Sequence, residues 1–401
     1  MLNTKQQEAV NFKNGQMLVV SCPGSGKTTV IVARVHQLIE SGVNPSNILI
    51  ITFTKEAADQ MQKRYEKEYG PTQAFFGTIH SICFRVLAKA YNYTKEDILR
   101  ANEQWEFMFN FLCKKVSSTD LQEYIKNMIA EIGYVRNKGM DYRKYQPEHS
   151  EKDIFRATYQ AYDEFKKEKN KIDFDDMLVL CFQLFLSRPD VLRGWQKKFR
   201  YILIDEFQDI NQIQYDVIRM LALPERNLFA VGDDDQAIYG FRGADSELML
   251  RFKKDFPDAS QILLGVNYRS TSNIVTNSLK VIMHNTRRYE KELKAERKGG
   301  PCLHIQEVKD VNEEAEYIAG EIKKSIRSGT KAEDIAVLFR THTDARPLVE
   351  ALLARKLPFE MKEHLPNLYE HFIAKDVQAY FRLAMKCAGR QDLLQVMNRP
   401  K

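Results

Sequence analysis

Short apolar runs alternate with amphipathic stretches along the first third of the chain. The runs at 17–20 and 47–53 have the length of buried strands, and the stretches at 27–41 and 55–68 place apolar residues at helical spacing. Strands of a parallel sheet are buried on both faces and appear as continuous apolar runs. The pattern therefore predicts alternating strands and helices that form a parallel sheet covered by helices.

The pattern changes between residues 85 and 198, where stretches rich in Lys, Glu, Tyr and Phe have helical spacing and contain no convincing strand. We expect a helical insertion here. Its basic residues, interleaved with tyrosines, fit either a nucleic-acid surface or the solvated faces of amphipathic helices, and the second interpretation is favoured. The residues concerned are Lys114, Lys115, Arg136, Lys138, Arg143, Lys144, Tyr134, Tyr142 and Tyr145.

Apolar runs return in the second half of the chain. They predict strands at 201–204, 227–231 and 261–264, followed by a second α/β region. The elements expected in that region are strands at 302–308 and 335–339 and helices at 312–328 and 344–356.

The composition narrows the class of protein. The length suggests about two to three domains, and 44% hydrophobic residues exclude wholesale disorder. No run approaches the ~18 consecutive apolar residues of a membrane span, no secretory signal is visible, and the six cysteines form no C-x-x-C pair. These features predict a cytoplasmic protein with no membrane partner. The formal net charge of +6 permits nucleic acid as a partner but does not argue for it.

A glycine-rich segment lies between the first predicted strand and the first predicted helix. Residues 22–28 have the order Cys-Pro-Gly-Ser-Gly-Lys-Thr, and Ser21 stands where the strict phosphate-loop pattern has glycine. Glycines let backbone N–H groups turn toward phosphate oxygens, and the following helix adds its positive end. Lys27 is placed to reach the β- and γ-phosphates, and the Thr28 hydroxyl is placed to bind Mg²⁺.

The predicted strand at 201–204 ends in two adjacent carboxylates. Asp205 is placed to hold the Mg²⁺ shell, and Glu206 is placed to activate or orient water for attack on the γ-phosphate. Two carboxylates at a buried strand end are costly unless a cation lies near them. Together with the glycine-rich segment, this pair predicts hydrolysis of a nucleoside triphosphate.

Residues 232–244 follow the next predicted strand and combine acidic, aromatic and basic side chains. Three consecutive aspartates here lack the alternating spacing and terminal Glu of a calcium-binding EF-hand loop. Gln236 is placed to contact the γ-phosphate or the attacking water. Tyr239 and Phe241 flank a glycine beside Arg242, a combination that suits stacking on unpaired bases with a phosphate contact alongside.

Taken together, these segments resemble the UvrD/Rep/PcrA-type superfamily 1 DNA helicases, because eight motifs of that family occur in order. The motifs lie at 2–10, 22–28, 52–61, 77–81, 172–177, 205–209, 232–244 and 267–270, with a weaker match at 335–341. The resemblance implies an α/β fold of RecA-like P-loop NTPase domains with ATP in the cleft between them. The implied domains are 1–88 (first motor domain, first part), 89–198 (helical insertion), 199–265 (first motor domain, second part) and 266–401 (second motor domain, partial).

The resemblance also implies roles for individual residues at the ATP site. Gln6 would read the adenine edge, Tyr268 would stack on the adenine, and Arg269 would act as an arginine finger on the γ-phosphoryl group. Thr29 stands where many relatives carry an arginine beside the adenine. The further implied ATP contacts are Pro23, Gly24, Ser25, Gly26, Lys27, Thr28 and Thr29. The implied catalytic residues are Lys27, Asp205, Glu206, Gln236 and Arg269, with Thr28 and Asp205 on Mg²⁺.

For nucleic acid, the resemblance implies single-stranded DNA and single-strand/double-strand junctions as partners, with movement from 3′ to 5′. The implied DNA contacts are Phe53, Thr54, Thr78, His80, Tyr239, Phe241, Arg242 and Arg340. No segment resembles the family's last two motifs, one of which carries a second γ-phosphate-contacting arginine. We therefore expect the N-terminal portion of a helicase, with weak ATP hydrolysis and weak or no unwinding on its own.

Two alternatives remain at this point. One is a DNA-binding or regulatory module that uses ATP occupancy as a switch and does not unwind DNA. The other is the motor part of a helicase–nuclease.

Overall fold

The computed structural model describes residues 2–116, 121–362, 365, 367–370 and 372–397, without the side chains of residues 242, 342, 370 and 372. The chain divides into two compact units, Met1–Leu303 and His304–Lys401. No helix in the described part of the chain has both the length and the apolar content that a bilayer crossing requires.

The first unit is built on a six-stranded parallel sheet with the strand order β3-β2-β4-β5-β1-β6. Its strands are β1 (Gln16–Ser21), β2 (Ile48–Thr52), β3 (Phe75–Thr78), β4 (Tyr201–Ile204), β5 (Leu228–Gly232) and β6 (Ser260–Leu264). A separate parallel pair consists of β7 (Val266–Thr271) and β8 (Lys294–Arg297). The α/β class is confirmed, as are the five strands of this sheet that the apolar runs predict. The pattern missed β3, whose short sequence includes a glycine.

Helices connect the strands and follow them along the chain. They are α1 (Thr4–Asn11), α2 (Lys27–Glu40), α3 (Lys55–Tyr69), α4 (Ile79–Tyr91), α5 (Ala101–Leu112), α6 (Leu121–Asn137), α7 (Lys152–Glu168), α8 (Phe174–Ser187), α9 (Pro189–Lys198), α10 (Gln212–Ala222), α11 (Glu247–Leu250), α12 (Phe252–Asp255), α13 (Ser272–Ile282), α14 (Val311–Arg327), α15 (Arg346–Ala354), α16 (Phe372–Ala384) and α17 (Arg390–Val396).

The central sheet is buried on both faces. Val19 and Ile50 point to the face covered by α1, α2 and α3, whereas their neighbours Leu18 and Leu49 point to the face covered by α4, α8, α9 and α10. Successive side chains of a strand alternate between faces, so continuous apolar strands need helices on both sides. The polar ends of the strands are left at the edges of this double-sided core.

Helices α5, α6 and α7 have a hydrophobic core of their own, whereas α4, α8 and α9 pack on the sheet. Arg136 at the end of α6 is buried and pairs with Asp163, Asp173 and Asp176. Lys166 of α7 joins the same aspartates. The placement of Arg136 among the candidate surface residues was therefore wrong, because its guanidinium ties α6 to α7 and to the start of α8. The insertion limits at 89 and 198 stay a prediction.

In the second unit, α14 and α15 pack through a small core that includes Ala319 and Leu352. The strands predicted at 302–308 and 335–339 are wrong: in the described part of the chain, no ladder includes either segment. Ile305 and Leu338 are 93% and 94% exposed. A strand needs a neighbour that pairs with its backbone N–H and C=O groups. An apolar run alone does not supply that neighbour.

Candidate active site

Four segments that carry predicted site residues meet at one edge of the central sheet. They follow the carboxyl ends of β1, β4, β5 and β6, which are neighbours or near neighbours in the strand order. In open parallel sheets this edge is where ligands bind, because loops from adjacent strands converge there.

The loop between β1 and α2 holds a backbone shape that requires glycine. Gly24 and Gly26 have φ angles of +67° and +82°, which side chains with a Cβ rarely adopt. A Cβ on Gly24 would lie 2.6 Å from the Cβ of Arg269. The Gly24 carbonyl also accepts a hydrogen bond from the Tyr268 N–H at 3.0 Å. The phosphate loop and the segment with Tyr268 and Arg269 are therefore in direct contact.

The amino-terminal segment is fastened to the same loop. Gln6 is buried, and its Nε2 donates to the Ser25 carbonyl at 2.9 Å, while its Oε1 accepts from the Asn3 N–H at 2.8 Å. Asn3 Nδ2 in turn donates to the Tyr268 hydroxyl at 2.6 Å. Ser21, the departure from the strict loop pattern, donates its hydroxyl proton to the Gly232 carbonyl at 2.7 Å and so links β1 to β5. The role of Gln6 toward adenine stays a prediction.

A cavity of about 360 Å³ lies against this loop. Its lining brings together residues that are far apart in the sequence. The lining residues are Gly24, Ser25, Gly26, Lys27, Thr28, Thr29, Arg64, Glu206, Gln236, Tyr268 and Arg269. Nearly every predicted ATP contact is in this set. The exceptions are Gln6, Pro23 and Asp205, which lie next to lining residues in space or in sequence.

Arg64 of α3 is a lining residue that sequence reasoning missed. Its Nη2 donates to the Thr29 hydroxyl at 2.8 Å. It thus brings a guanidinium to the position where Thr29 replaces the arginine of many relatives. Only the packing of α3 beside α2 reveals this, since no motif spacing connects residues 29 and 64.

The two carboxylates after β4 occupy different environments. Glu206 Oε2 lies 3.1 Å from Lys27 Nζ, and its backbone has a φ of +51°, which is unusual for a residue with a Cβ. Asp205 is buried and accepts the Glu206 N–H at 3.1 Å. Burial, together with the negative charge of Glu206, raises the pKa of Asp205 to about 7. A cation near Asp205 would therefore be strongly favoured.

Gln208 connects the segment after β4 to the segment after β5, and no role for it was predicted from the sequence. Its Nε2 donates to Glu206 Oε2 at 2.9 Å, and its Oε1 accepts the Asp233 N–H at 2.9 Å. Gln208 is buried, and a Cβ on Gly232 would lie 2.8 Å from its Oε1. The side chain therefore links Glu206, after β4, to the backbone of Asp233, after the neighbouring strand β5.

Asp209 is a buried carboxyl that carries no proposed chemistry. Among the described residues, no hydrogen-bond partner is present for its Oδ1, and burial together with the negative charge of Glu206 raises its pKa to about 7. The unfolded value is about 3.9, so the folded state holds an extra proton between roughly pH 4 and pH 7. Stability is therefore expected to fall as pH rises through that window.

We predict that Asp209→Asn removes this pH dependence. Relative to the unsubstituted protein, the free energy of unfolding of the variant should gain about 1–3 kcal/mol between pH 5 and pH 8, because the amide cannot become a buried anion. Thermal or urea unfolding at the two pH values measures the change. Asp258→Asn, at an exposed position, serves as the control. An advantage that stays constant with pH would contradict the assignment.

The aromatic residues predicted to contact DNA lie together. The rings of Phe53 and Tyr239 are 4.7 Å apart, and those of Tyr239 and Phe241 are 6.2 Å apart. Phe241 is 72% exposed. Phe53, Tyr239, Thr54 and His80 also line a second cavity of about 330 Å³. This cavity reaches Glu206 as well, so the aromatic group and the acidic strand end share a boundary.

The other predicted DNA contacts have mixed placements. The hydroxyls of Thr54 and Thr78 cap the amino termini of α3 and α4, by accepting the backbone N–H groups of residues 57 and 81. Burial lowers the pKa of His80 to about 4. The side chain of Arg242 lies outside the described part of the chain, and Arg340 belongs to the second unit. The DNA roles of all these residues stay predictions.

A phosphate loop that faces an acidic strand end across one edge of a parallel sheet defines a P-loop NTPase-type core. Comparison with known proteins gives the family. Residues 2–257 match the UvrD/REP helicase N-terminal domain, and residues 262–401 match the UvrD-like helicase C-terminal domain. The chain belongs to the UvrD/Rep helicase family. The predicted domain boundary between residues 265 and 266 stays a prediction. It lies after the end of the first family match at residue 257 and before the division of the compact units at Leu303.

Two relatives illustrate the similarity. The chain is 37% identical over 388 residues to the putative ATP-dependent DNA helicase YjcD of Bacillus subtilis, an alignment that covers 94% of this chain and 51% of the relative. It is 33% identical over 429 residues to the ATP-dependent DNA helicase PcrA of Staphylococcus aureus, which covers 100% of this chain and 56% of the relative. The chain thus spans about half the length of the curated relatives it matches.

Proposed function

We propose that this chain provides the ATP-hydrolysing motor of a DNA helicase or translocase. The observation that carries the proposal is the 360 Å³ cavity, in which Lys27, Glu206, Gln236 and Arg269 converge from four separate segments of the chain. Phosphoryl transfer needs positioned charge more than covalent chemistry. A cationic group, a carboxylate, an amide and a guanidinium around one phosphate loop meet that need.

We propose that Lys27 and Glu206 exchange partners during the reaction. The two side chains are paired at 3.1 Å, and Lys27 is the more buried of them. A triphosphate in the loop would compete for the Lys27 ammonium and release Glu206. The freed carboxylate, held from behind by Gln208, would then orient water toward the γ-phosphate.

Thr28 and Asp205 would hold Mg²⁺. A hydroxyl and a carboxylate are the hard oxygen ligands that Mg²⁺ prefers, and a bound cation would offset the burial of Asp205 beside the negative charge of Glu206. When bound, the ion would neutralise charge on the β- and γ-phosphate oxygens.

Single-stranded DNA is the proposed track. Phe53, Tyr239 and Phe241 form a row of aromatic rings, and such rows stack on unpaired bases with little sequence preference. Tyr239 lies three residues beyond Gln236, so one short segment connects the base-stacking rings with the nucleotide cavity. This link supports coupling between ATP and DNA. Movement from 3′ to 5′ and preference for single-strand/double-strand junctions are proposed from the family alone.

ATP turnover with and without single-stranded DNA tests the proposal. We expect DNA to stimulate turnover, and Phe241→Ala to raise the DNA concentration needed for half-maximal stimulation about 5- to 150-fold, since one stacked base contributes about 1–3 kcal/mol. Tyr91→Ala is the matched control, because Tyr91 is also an exposed aromatic residue but lies at the end of α4. DNA binding without any DNA-dependent turnover would instead support the ATP-switched binding module.

A further inference from the structure

The three aspartates after β5 surround one buried ammonium group. Lys291 Nζ lies 2.6 Å from Asp233, 2.5 Å from Asp234 and 3.0 Å from Asp235, and the Lys291 side chain has no exposed surface. The guanidinium of Arg288 makes two parallel hydrogen bonds to Asp235 at 2.7 and 2.8 Å. The carboxylate oxygens are close enough together to suit a metal ion, but here the lysine of the same chain takes that place.

Lys291 and Arg288 neutralise the three aspartates and also make the turn that carries them possible. A buried carboxylate costs free energy unless it is paired, and three of them within one turn would repel each other strongly without Lys291 and Arg288. The turn therefore depends on residues that are more than fifty positions later in the sequence. The Tyr289 N–H adds a further hydrogen bond to Asp234 at 2.7 Å.

Asp233 connects this ion-pair cluster to the 360 Å³ cavity beside the phosphate loop. Its carboxylate accepts a hydrogen bond from Gln236 Nε2, and its carbonyl accepts the Gln236 N–H at 2.9 Å. Its own N–H donates to Gln208, the residue that holds Glu206. Gln236, which lines the cavity, and Gln208, which holds Glu206, are thus both hydrogen-bonded to an aspartate that Lys291 fixes.

The other end of the same segment reaches Arg269. We call residues 288–297 the clasp segment. The Lys294 N–H donates to the Gly265 carbonyl at 2.8 Å, β8 pairs with β7, and Arg297 donates to the Arg269 carbonyl at 2.9 Å. One continuous stretch therefore contacts the Gln236 turn at its start and the backbone of Arg269 at its end.

We propose that the clasp segment, through Lys291, is the positioning element that sets Gln236 at a fixed distance from Arg269 across the nucleotide cavity. Lys291 is not one of the described residues that line the cavity. It acts through Asp233. The expected effect on ATP turnover rests on the proposed ATPase function. The expected effect on amide hydrogen exchange in the Gln236 turn does not depend on catalysis.

Lys291→Met tests the proposal, with Lys298→Met as the control, because Lys298 is an exposed lysine just beyond the clasp segment. We expect amide hydrogen exchange in residues 232–243 to become about tenfold faster, with exchange in β1 and β4 unchanged. We also expect kcat for ATP to fall about tenfold or more while KM stays within about twofold, since nucleotide binding rests mainly on the phosphate loop. Lys298→Met should leave both measurements unchanged.

Arg288→Gln extends the test if Lys291→Met does not fold, because Arg288 is at the partly exposed end of the cluster. It should change amide hydrogen exchange and kcat in the same direction by a smaller factor. Lys291→Arg should keep part of the normal exchange rate and part of the normal kcat, since arginine retains the charge.

Equal exchange in Lys291→Met and Lys298→Met, or faster exchange spread evenly over the whole first unit, would overturn the proposal. If the unsubstituted chain and all of its variants fail to hydrolyse ATP, the proposed function is wrong. The hydrogen-exchange data would still decide whether the clasp segment positions the Gln236 turn.

Discussion

Glu206→Gln is expected to lower the ATP turnover number about 10²- to 10⁴-fold, the usual contribution of a positioned general base. The amide is the same size as the carboxylate but cannot accept a proton from water. Nucleotide affinity should be retained or increase, because loss of the carboxylate frees Lys27 from the 3.1 Å ion pair that competes with phosphate. Single-turnover hydrolysis of labelled ATP and equilibrium binding of a fluorescent nucleotide measure the two effects.

Glu225→Gln is the matched control for this experiment. Glu225 is exposed and pairs with Arg200 at 3.3 Å, so its loss should leave turnover within about twofold, as expected for a surface ion pair. If Glu206→Gln retained normal turnover, Glu206 would be excluded as the catalytic base. The positive φ of Glu206 would then need a purely structural explanation.

Arg269→Ala is expected to lower turnover about 10³- to 10⁵-fold, the range measured for arginine fingers. The reason is its position: Arg269 lines the 360 Å³ cavity beside the phosphate loop, and its N–H donates to Asn267 Oδ1 at 2.9 Å. Its guanidinium would meet charge that develops on the γ-phosphoryl group, so the loss should appear in kcat and much less in nucleotide affinity. Rapid-quench measurement at saturating ATP separates the two.

Arg287→Ala provides the comparison, because Arg287 is highly exposed and pairs only weakly with Glu247 at the surface. Arg269→Lys should recover a minor part of the rate, since lysine retains the charge but loses the planar fork. A loss in Arg269→Ala that appeared wholly as weaker nucleotide binding would assign Arg269 to ground-state binding and remove it as an arginine finger.

The parts of this molecule that follow from local sequence could be predicted well. The phosphate loop, the acidic strand end and the strands around them are specified within short segments, and the order of those segments indicates the family. Parallel strands bring their carboxyl ends to one edge. The convergence of Lys27 and Glu206 at that edge is therefore a consequence of the alternation of strands and helices.

Features that depend on distant contacts were not predictable in this way. Gln208, Arg64 and Lys291 are ordinary polar residues in the sequence, and each acquires its significance from a partner on another element. Arg136 shows the reverse case, since a basic residue in a basic stretch is buried among aspartates. The segment at 335–339 has the composition of a strand, but composition does not provide a pairing neighbour.

The position of the helical insertion has a consequence for how the protein folds. The insertion separates β3 from β4 in the chain, although both strands pair with β2. During synthesis, α5, α6 and α7 can collapse early around their own core, because their contacts are local. The central part of the sheet forms only after β4 and β5 have been synthesised, because β1 pairs with β5 and β5 pairs with β4. Nearly half of the chain lies between Lys27 and Glu206, so the two halves of the proposed ATP site meet only late in folding, after a long loop closes at an entropy cost.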